Sequence, residues 1–270
     1  MSIFIAIILG AVQGLTEFLP VSSSGHLVLL QRIFGISEPA LFFDTMVHVG
    51  TLAAVLAVLW KEIWAILRRL IQPLTAFLVL ATIPAVIFAL VFKKTIESAF
   101  ESGKFLSFAF LLTAALLTIA ELLSRRARTG QELKKAGEMN WQDALIIGLL
   151  QAVAIIPGVS RSGATISGAL SRKLDRDFAA RFSFLLSIPA ILGALVLQLK
   201  DLMKGGAEAT GGIGAAAIIA GTISAAIVGF IAVRLMLKII REKSLFGFAV
   251  YTGILGLLVL IDQFATHFVF

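Results

Sequence analysis

Two stretches of the chain decide its fold: GAVQGLTEFLPVSSSG at residues 10–25 and GLLQAVAIIPGVSRSG at residues 148–163. They align without a gap at an offset of 138 residues, about half the chain, and six aligned positions are identical. The identical pairs are Gly10 and Gly148, Gln13 and Gln151, Val21 and Val159, Ser22 and Ser160, Ser24 and Ser162, and Gly25 and Gly163. The match predicts an internal duplication, which is common among membrane transport folds.

The composition is typical of a membrane protein. Of the 270 residues, 59% are hydrophobic and only 14% are charged, and the mean hydropathy is +1.00. Apolar runs of roughly 20 residues, each long enough to cross a hydrocarbon core about 30 Å thick, recur along the chain. They lie at 41–60, 74–92, 105–123, 178–199, 212–233 and 246–268. We therefore predict an all-α polytopic membrane protein with about six full transmembrane helices.

The composition also excludes several kinds of site. The chain has no cysteine, so neither a disulfide nor a thiolate metal site can form. It lacks G-x-x-x-x-G-K-[ST], the phosphate-binding signature of many ATP-driven proteins, so we do not expect ATP-driven chemistry. The net charge of +7 predicts basic cytoplasmic loops rather than a nucleic-acid partner.

The duplicated stretches are too interrupted to cross the membrane as ordinary helices. In the first, residues 3–12 are apolar but too few for a span, polar residues and Pro20 follow, and a helix restarts at HLVLLQRIF. In the second, a helix restarts at ATISGALSR after a Pro-Gly turn. We predict that each stretch is a re-entrant helical hairpin whose tip lies inside the membrane, beside a cavity lined by protein or water.

Three full spans separate the hairpins, and this odd number predicts an inverted-topology repeat. The predicted division is repeat 1 at 1–123, a cytoplasmic linker at 124–138 and repeat 2 at 139–270. On this topology sixteen Lys and Arg residues fall on one face of the membrane and six on the other. Because basic residues favour cytoplasmic loops, we predict that the face with sixteen is cytoplasmic. Both termini then lie outside, and the predicted cytoplasmic loops are 61–73, 124–142 and 235–245.

Each hairpin tip places serines and a glycine just before a restarting helix. Serine is a favourable N-cap, and the first turn of a helix has N–H groups without internal partners and carries partial positive charge. Two such helix starts that face each other would bind an anion, and Arg161 adds a guanidinium suited to phosphate oxygens. A structural alternative is that Arg161 only pairs with a buried carboxylate such as Glu17.

Among the positions at which the two tips differ, three give only the first tip an acid, a hydroxyl and an imidazole that catalysis could use. The first carries Glu17, Ser23 and His26 at the positions where the second carries Ile155, Arg161 and Ala164. If the helix begins near Ser23, His26 shares its face and could accept the serine proton as a general base. Glu17 could orient His26 or bind a divalent metal ion. His48, close to Asp44 in a predicted span, is a weaker candidate.

These motifs resemble those of the undecaprenyl-pyrophosphate phosphatase family, the bacitracin-resistance type. The family pattern is [E/Q]-x-x-x-E followed by P-V-S-S-[ST]-G-H, and later P-G-x-S-R-S-G-[AV]-T. The matching stretches here are 13–26 and 157–165, and the resemblance covers essentially the whole chain. It implies a membrane phosphatase that converts undecaprenyl diphosphate to undecaprenyl phosphate, which recycles the carrier lipid of cell-wall synthesis.

The resemblance also implies roles for individual residues. It implies that Glu17 is the acidic catalytic or metal-linked residue, and that Ser23 and His26 are the nucleophile and proton-transfer pair. It implies that the pyrophosphate is bound by Arg161, Ser160 and Thr165. The other tip residues complete the predicted substrate-binding set: Ser22, Ser24, Gly25, Ser162 and Gly163. A magnesium or calcium ion is implied as cofactor with Glu17 as its ligand, although Gln13 replaces a glutamate that many members have there.

Several alternatives stay open at the level of the sequence. The attacking group is Ser23, His26 or an activated water. A transporter or lipid flippase also uses inverted repeats with broken helices, and an anion channel is a third reading. The asymmetric set of acid, hydroxyl and imidazole favours the enzyme, with a site open to the extracytoplasmic side. The expected partners are the polyprenyl diphosphate and membrane lipids, and a homodimer is one possible oligomeric state.

Overall fold

The computed structural model describes residues 1–36, 40–128, 133–205 and 212–270. Most of these residues are helical. The helices are α1 (Ile3–Phe18), α2 (Ser23–Ile33), α3 (Leu41–Val58), α4 (Trp60–Arg68), α5 (Pro73–Val91), α6 (Lys93–Ser102), α7 (Leu106–Arg128), α8 (Trp141–Val153), α9 (Arg161–Ser171), α10 (Arg176–Gly205), α11 (Ala215–Glu242) and α12 (Phe246–Ile261). A 3-10 turn at Ala136–Glu138 precedes α8, and a π turn at Asp262–Thr266 follows α12.

The predicted spans correspond to α3, α5, α7, α10, α11 and α12. Five of these, all but α3, are individually long and apolar enough to cross a membrane. The first predicted span, 41–60, corresponds to α3 alone, because the chain bends by 77° between the helix ending at Val58 and α4. The described residues therefore contain five helices able to span a membrane, or six when the bent pair is counted as one span. This confirms the predicted all-α polytopic class.

Helices extend into several stretches where the sequence predicted an interruption or a loop, among them the predicted linker at 124–138, which α7 enters as far as Arg128. The apolar segment predicted at 3–12 is part of a longer helix, since α1 continues to Phe18 and carries Glu17 in its last turn. The predicted loop 61–73 is helical as far as Arg68. The predicted loop 235–245 is helical as far as Glu242, because nothing in that stretch breaks a helix and cations are favourable in a last turn. Residues 129–132 of the predicted linker lie outside the described residues.

The first helix of each hairpin packs against the opposite half of the chain. α1 lies along α11, and α8 lies along α5. Both contacts need glycine: a Cβ on Gly10 would lie 2.1 Å from the carbonyl oxygen of Gly221, and one on Gly148 would lie 2.6 Å from that of Ala81. α7 also packs against α12, and α3 against α10. The halves therefore interlock around a shared interior, and the repeat boundaries stay a prediction.

Each hairpin tip is a turn followed by a helix with a serine cap. In the first, the N–H of Gly25 donates to the Oγ of Ser22 at 3.1 Å, and α2 begins at Ser23, three residues before the predicted restart at His26. In the second, the N–H of Gly163 donates to the Oγ of Ser160 at 3.0 Å, and α9 begins with the arginine. The predicted serine N-caps are confirmed. In each helix one first-turn N–H group is therefore satisfied by the capping serine.

The main core lies directly beside the first tip. Phe18 is fully buried, and its ring meets the ring of Phe184 of α10 edge to face with the centroids 5.3 Å apart. Because Glu17 is the adjacent residue of α1, the packing of Phe18 fixes the end of the helix on which the carboxylate stands.

Candidate active site

The two tips meet at a cavity of about 350 Å³. Its walls come from α1, α2, α3, the turn between α8 and α9, α9, and α10. Its polar lining includes Glu17, Ser23, Ser24, Asp44, His48 and Arg161. Its apolar wall includes Leu27, Ile155, Ala190, Ile191 and Ala194. A cavity lined by both charged and apolar side chains suits a ligand that has a charged head and an apolar tail.

Glu17 lies at the centre of a hydrogen-bond network that joins the two hairpins. Arg161 donates from Nη2 to Oε1 of Glu17 at 2.7 Å. Ser23 donates from its hydroxyl to Oε2 at 2.6 Å, and Gln13 donates from its amide to the same oxygen at 2.9 Å. The side chain of Glu17 is only 6% exposed. The buried carboxylate is therefore held in its charged form by three donors, one of them a cation.

Arg161 has the position that each of the two interpretations made from the sequence requires. It pairs with Glu17 across the hairpins, which was the structural alternative, and it also lines the cavity, which the anion-binding role requires. A second donor, Nη1, reaches the backbone carbonyl of Ser183 at 3.2 Å. A guanidinium has five N–H donors, so the two bonds leave others free to meet a phosphate in the cavity.

His26 has other partners than the one expected. Its Nδ1 lies 2.6 Å from the carbonyl oxygen of Ser22, and its Nε2 lies 2.7 Å from the hydroxyl of Tyr251. Ser23 instead donates its hydroxyl to Glu17. A shared helix face aligns the Cβ atoms of Ser23 and His26, but the side-chain rotamer directs the imidazole back to the preceding turn. The structure thus pairs the serine with the acid and not with the histidine.

The predicted substrate-binding residues at the tips divide into two groups. Ser24 and Ser160 line the cavity. Ser22, Gly25 and Gly163 belong to the helix caps, and the hydroxyl of Ser22 accepts the N–H of Gly25. Ser160 has both positions, because it lines the cavity and its hydroxyl also accepts the N–H of Gly163. The contact of these residues with a substrate stays a prediction.

Two further predicted binding residues face the protein interior. The hydroxyl of Ser162 donates to the carbonyl oxygen of Leu19 at 3.0 Å, which ties the second tip to the first. The hydroxyl of Thr165, which is fully buried, shares a hydrogen bond of 2.6 Å with that of Ser183. In this structure both hydroxyls stabilise the hairpin, and their predicted contact with pyrophosphate stays a prediction.

Three residues near the site were not assigned a role from the sequence, and a fourth was only a weaker candidate. Asp44 and Thr45 line the cavity, as does the weaker candidate His48, whose Nε2 lies 3.5 Å from Oε2 of Glu17. The four-residue spacing of Asp44 and His48 places both on one face of α3 and is visible in the sequence. Tyr251 is the only tyrosine of the chain, yet nothing in its apolar surroundings indicates that it meets His26.

The residues around Glu17 do not fit a magnesium or calcium ion. Such ions bind oxygen atoms, whereas Glu17 faces the N–H groups of Arg161 and Gln13 and the O–H of Ser23. No group of three or more His, Cys, Asp or Glu side chains among the described residues is arranged to hold a metal ion. The divalent cation implied by the resemblance therefore stays a prediction.

Comparison with known proteins identifies the family. Residues 6–258 match the family described as bacitracin resistance protein BacA. The chain belongs to the BacA family. The resemblance of the two tip motifs is therefore confirmed over nearly the whole chain.

Full-length relatives carry an enzyme name. An undecaprenyl-diphosphatase of Carboxydothermus hydrogenoformans is 46% identical over 99% of this chain and 100% of its own length. Undecaprenyl-diphosphatase 4 of Bacillus thuringiensis subsp. konkukian is 46% identical over 97% of this chain and 98% of its own. An undecaprenyl-diphosphatase of Halothermothrix orenii is 42% identical with the same coverage. Within the BacA family, these relatives resemble the chain from end to end.

Proposed function

We propose that this BacA protein hydrolyses undecaprenyl diphosphate to undecaprenyl phosphate and phosphate in the cavity between its hairpin tips. The names of the relatives state the activity. One observation supports this location of the reaction. Ser23 and Arg161 both donate hydrogen bonds to Glu17, and all three line a cavity with an apolar wall. A nucleophile, an acceptor for its proton and a cation for the phosphate are the parts that this hydrolysis needs.

The diphosphate would bind where the two helix starts converge. The first residues of both helices, Ser23 of α2 and Arg161 of α9, line the cavity. The first-turn N–H groups and the positive ends of both helix dipoles are therefore close to this space. Arg161 would donate its remaining N–H groups to the terminal phosphate, because a guanidinium can donate to two phosphate oxygens at once. When the phosphate takes over as the acceptor for Arg161, the carboxylate of Glu17 loses part of its cationic partner and is better able to accept a proton.

Ser23 is the nucleophile in this proposal. Its Oγ attacks the terminal phosphorus while its proton passes to Oε2 of Glu17, 2.6 Å away. The bond from phosphorus to the bridging oxygen breaks, and undecaprenyl phosphate leaves with that oxygen. Water then attacks the phosphoserine, the serine oxygen recovers its proton from Glu17, and phosphate leaves. Each proton transfer uses a hydrogen bond already present in the structure.

The apolar wall provides a path for the lipid tail. Along α10 the wall runs from Ile191, which is buried, to Ala194, which is exposed. The wall therefore leads from the interior to the surface that faces lipid, so that only the first isoprene units of the chain need to enter the protein.

The orientation in the membrane is a further part of the proposal. Asp44 and Thr45 lie in the first turns of α3, whose N-terminal end is predicted to be outside, so the cavity would open to the extracytoplasmic side. Because the chain has no cysteine, Gly137→Cys and Lys94→Cys, both at exposed positions, report on opposite faces. An impermeant thiol reagent applied to intact cells should label position 94 and not 137. The reverse pattern would overturn the orientation and the predicted location of both termini.

Phosphate release from undecaprenyl diphosphate by the purified protein in detergent tests the function directly. Ser23→Ala should lower kcat by about a thousandfold, whereas Ser24→Ala, which removes a neighbouring cavity hydroxyl, should lose less than about tenfold. Rapid quenching with a labelled terminal phosphate should trap a phosphoserine at residue 23. Wild-type protein that moves the lipid across vesicles without releasing phosphate would indicate the transporter instead. Substantial activity in Ser23→Ala would show that a water molecule, and not Ser23, attacks the phosphorus.

A further inference from the structure

His26 uses both ring nitrogens in bonds to protein. A carbonyl oxygen can only accept, so the 2.6 Å contact with Ser22 places a proton on Nδ1. The Nε2 of the neutral ring is then an acceptor, and it receives the hydroxyl of Tyr251 at 2.7 Å. The Tyr251 ring stacks on the imidazole with the planes 9° apart, and Phe110 meets it edge-on. The imidazole is thereby held on several sides, and it does not line the cavity.

The carbonyl that His26 holds belongs to a strained residue. Ser22 has φ 73° and ψ 97°, a conformation that is unfavourable for any residue with a Cβ. Such a conformation persists only where the surroundings hold it. Here the N–H of Gly25 donates to the Ser22 hydroxyl and both the backbone N–H and Nδ1 of His26 approach the Ser22 carbonyl. The next residue in the chain is Ser23, so the direction of its hydroxyl depends on this turn.

We propose that Tyr251 and His26 are positioning residues that hold the strained turn at Ser22 and so direct the Ser23 hydroxyl onto Glu17. The relay runs from the Tyr251 hydroxyl to His26 Nε2, and from His26 Nδ1–H to the Ser22 carbonyl. It links α12, near the C-terminal end of the chain, to the first hairpin tip. The inference rests on the proposed role of Ser23. In it His26 transfers no proton, and its effect on kcat comes from holding the turn at Ser22.

Tyr251→Phe tests the outer step of the relay. The variant keeps the stacked ring and removes one hydroxyl, so Nε2 of His26 loses its donor. We expect kcat to fall about tenfold, which corresponds to the loss of one partly buried hydrogen bond. KM should stay within about twofold of the wild-type value, because the substitution does not alter the diphosphate site. The melting temperature in detergent should change little. Val250→Ala, at the adjacent exposed position on α12, is the matched control and should behave as wild type.

Two substitutions at His26 separate positioning from proton transfer. The amide nitrogen of His26→Asn can occupy the place of Nδ1 and donate to Ser22, whereas that of His26→Gln reaches the place of Nε2. We expect His26→Asn to keep kcat within about tenfold of wild type and to exceed His26→Gln. A folded His26→Asn that loses about a thousandfold would instead show a proton-transfer role. The Asn-over-Gln order decides the matter if Tyr251→Phe does not fold.

The outcomes also separate this inference from the proposed function. Wild-type protein that releases no phosphate would overturn the function itself. Active wild-type protein with an unchanged kcat in Tyr251→Phe would overturn the relay alone.

Discussion

The two halves of the chain contribute different side chains to one cavity. The first half supplies Glu17, Ser23 and the polar face of α3, which includes His48. The second half supplies Arg161 and the apolar face of α10, which ends at Ala194. The same arrangement of two capped helix starts carries different side chains at the first helical position, serine in one half and arginine in the other. In the proposed mechanism, this difference makes one helix start the nucleophile and the other the phosphate clamp.

The backbones of the two tips differ as well. In the first tip the positive φ falls on Ser22, which has a Cβ, whereas in the second it falls on Gly158, at φ 90°, where it costs little. The second serine cap, Ser160, has an ordinary φ of −71°. The strained turn thus lies beside the residue proposed to react, and the relaxed turn lies beside the residue proposed to bind.

The largest effect should come from removing the acid of the first half. Glu17→Gln removes the acceptor of the Ser23 proton, and we expect kcat to fall by about a thousandfold. The variant also leaves Arg161 without its buried partner and should melt at a lower temperature. The double variant Glu17→Gln with Arg161→Gln should recover stability and remain inactive. Phosphate release and melting temperature measured on the same preparations check this, and an active Glu17→Gln would remove the acid from the mechanism.

The clamp of the second half should contribute the next largest effect. Lysine keeps the charge of Arg161 but not its planar fork, so Arg161→Lys should lose about a hundredfold in kcat, and Arg161→Ala should lose more. Steady-state kinetics with parallel thermal melts measure both. A purely structural arginine gives the opposite pattern: Arg161→Ala would unfold readily, and the protein that survives would keep its kcat.

The apolar wall of the second half should affect long substrates only. Ala194→Trp narrows the path proposed for the tail, so kcat/KM for undecaprenyl diphosphate should fall about tenfold or more, in line with typical costs of misfit in an apolar pocket. Turnover of a short prenyl diphosphate such as farnesyl diphosphate should be unchanged. Leu192→Trp is the control, because this exposed residue of α10 does not line the cavity. Equal losses with both substrates would place Ala194 at the head group instead.

The smallest effect concerns the stability of the two turns. Ser22→Gly and Ser160→Gly both lose a cap, at a cost of a few tenths of a kcal/mol. Only Ser22→Gly also relieves a strained conformation, worth about 1 kcal/mol. We therefore expect Ser22→Gly to raise the melting temperature slightly and Ser160→Gly to lower it. A fall of the same size in both variants would mean that the first turn is not strained.

Much of this architecture is determined by the sequence alone. Hydropathy indicates the six spans, because crossing a hydrocarbon core requires a long apolar helix wherever the chain folds. The duplicated serine and glycine patterns predict the two tips and both N-caps, since a cap depends on residues three apart in the chain. The same motifs identify the family and bring Glu17, Ser23 and Arg161 into one hypothesis.

The tertiary structure decided which groups meet. It paired Ser23 with Glu17, turned His26 toward Tyr251, 225 residues away in the chain, and brought His48 into the cavity. It also turned Thr165 into the interior. These outcomes depend on side-chain rotamers and on the close packing of α1 against α11 and of α8 against α5. Hydropathy predicts neither the rotamers nor the helix neighbours, because an apolar helix is stable in the membrane whichever helix it packs against.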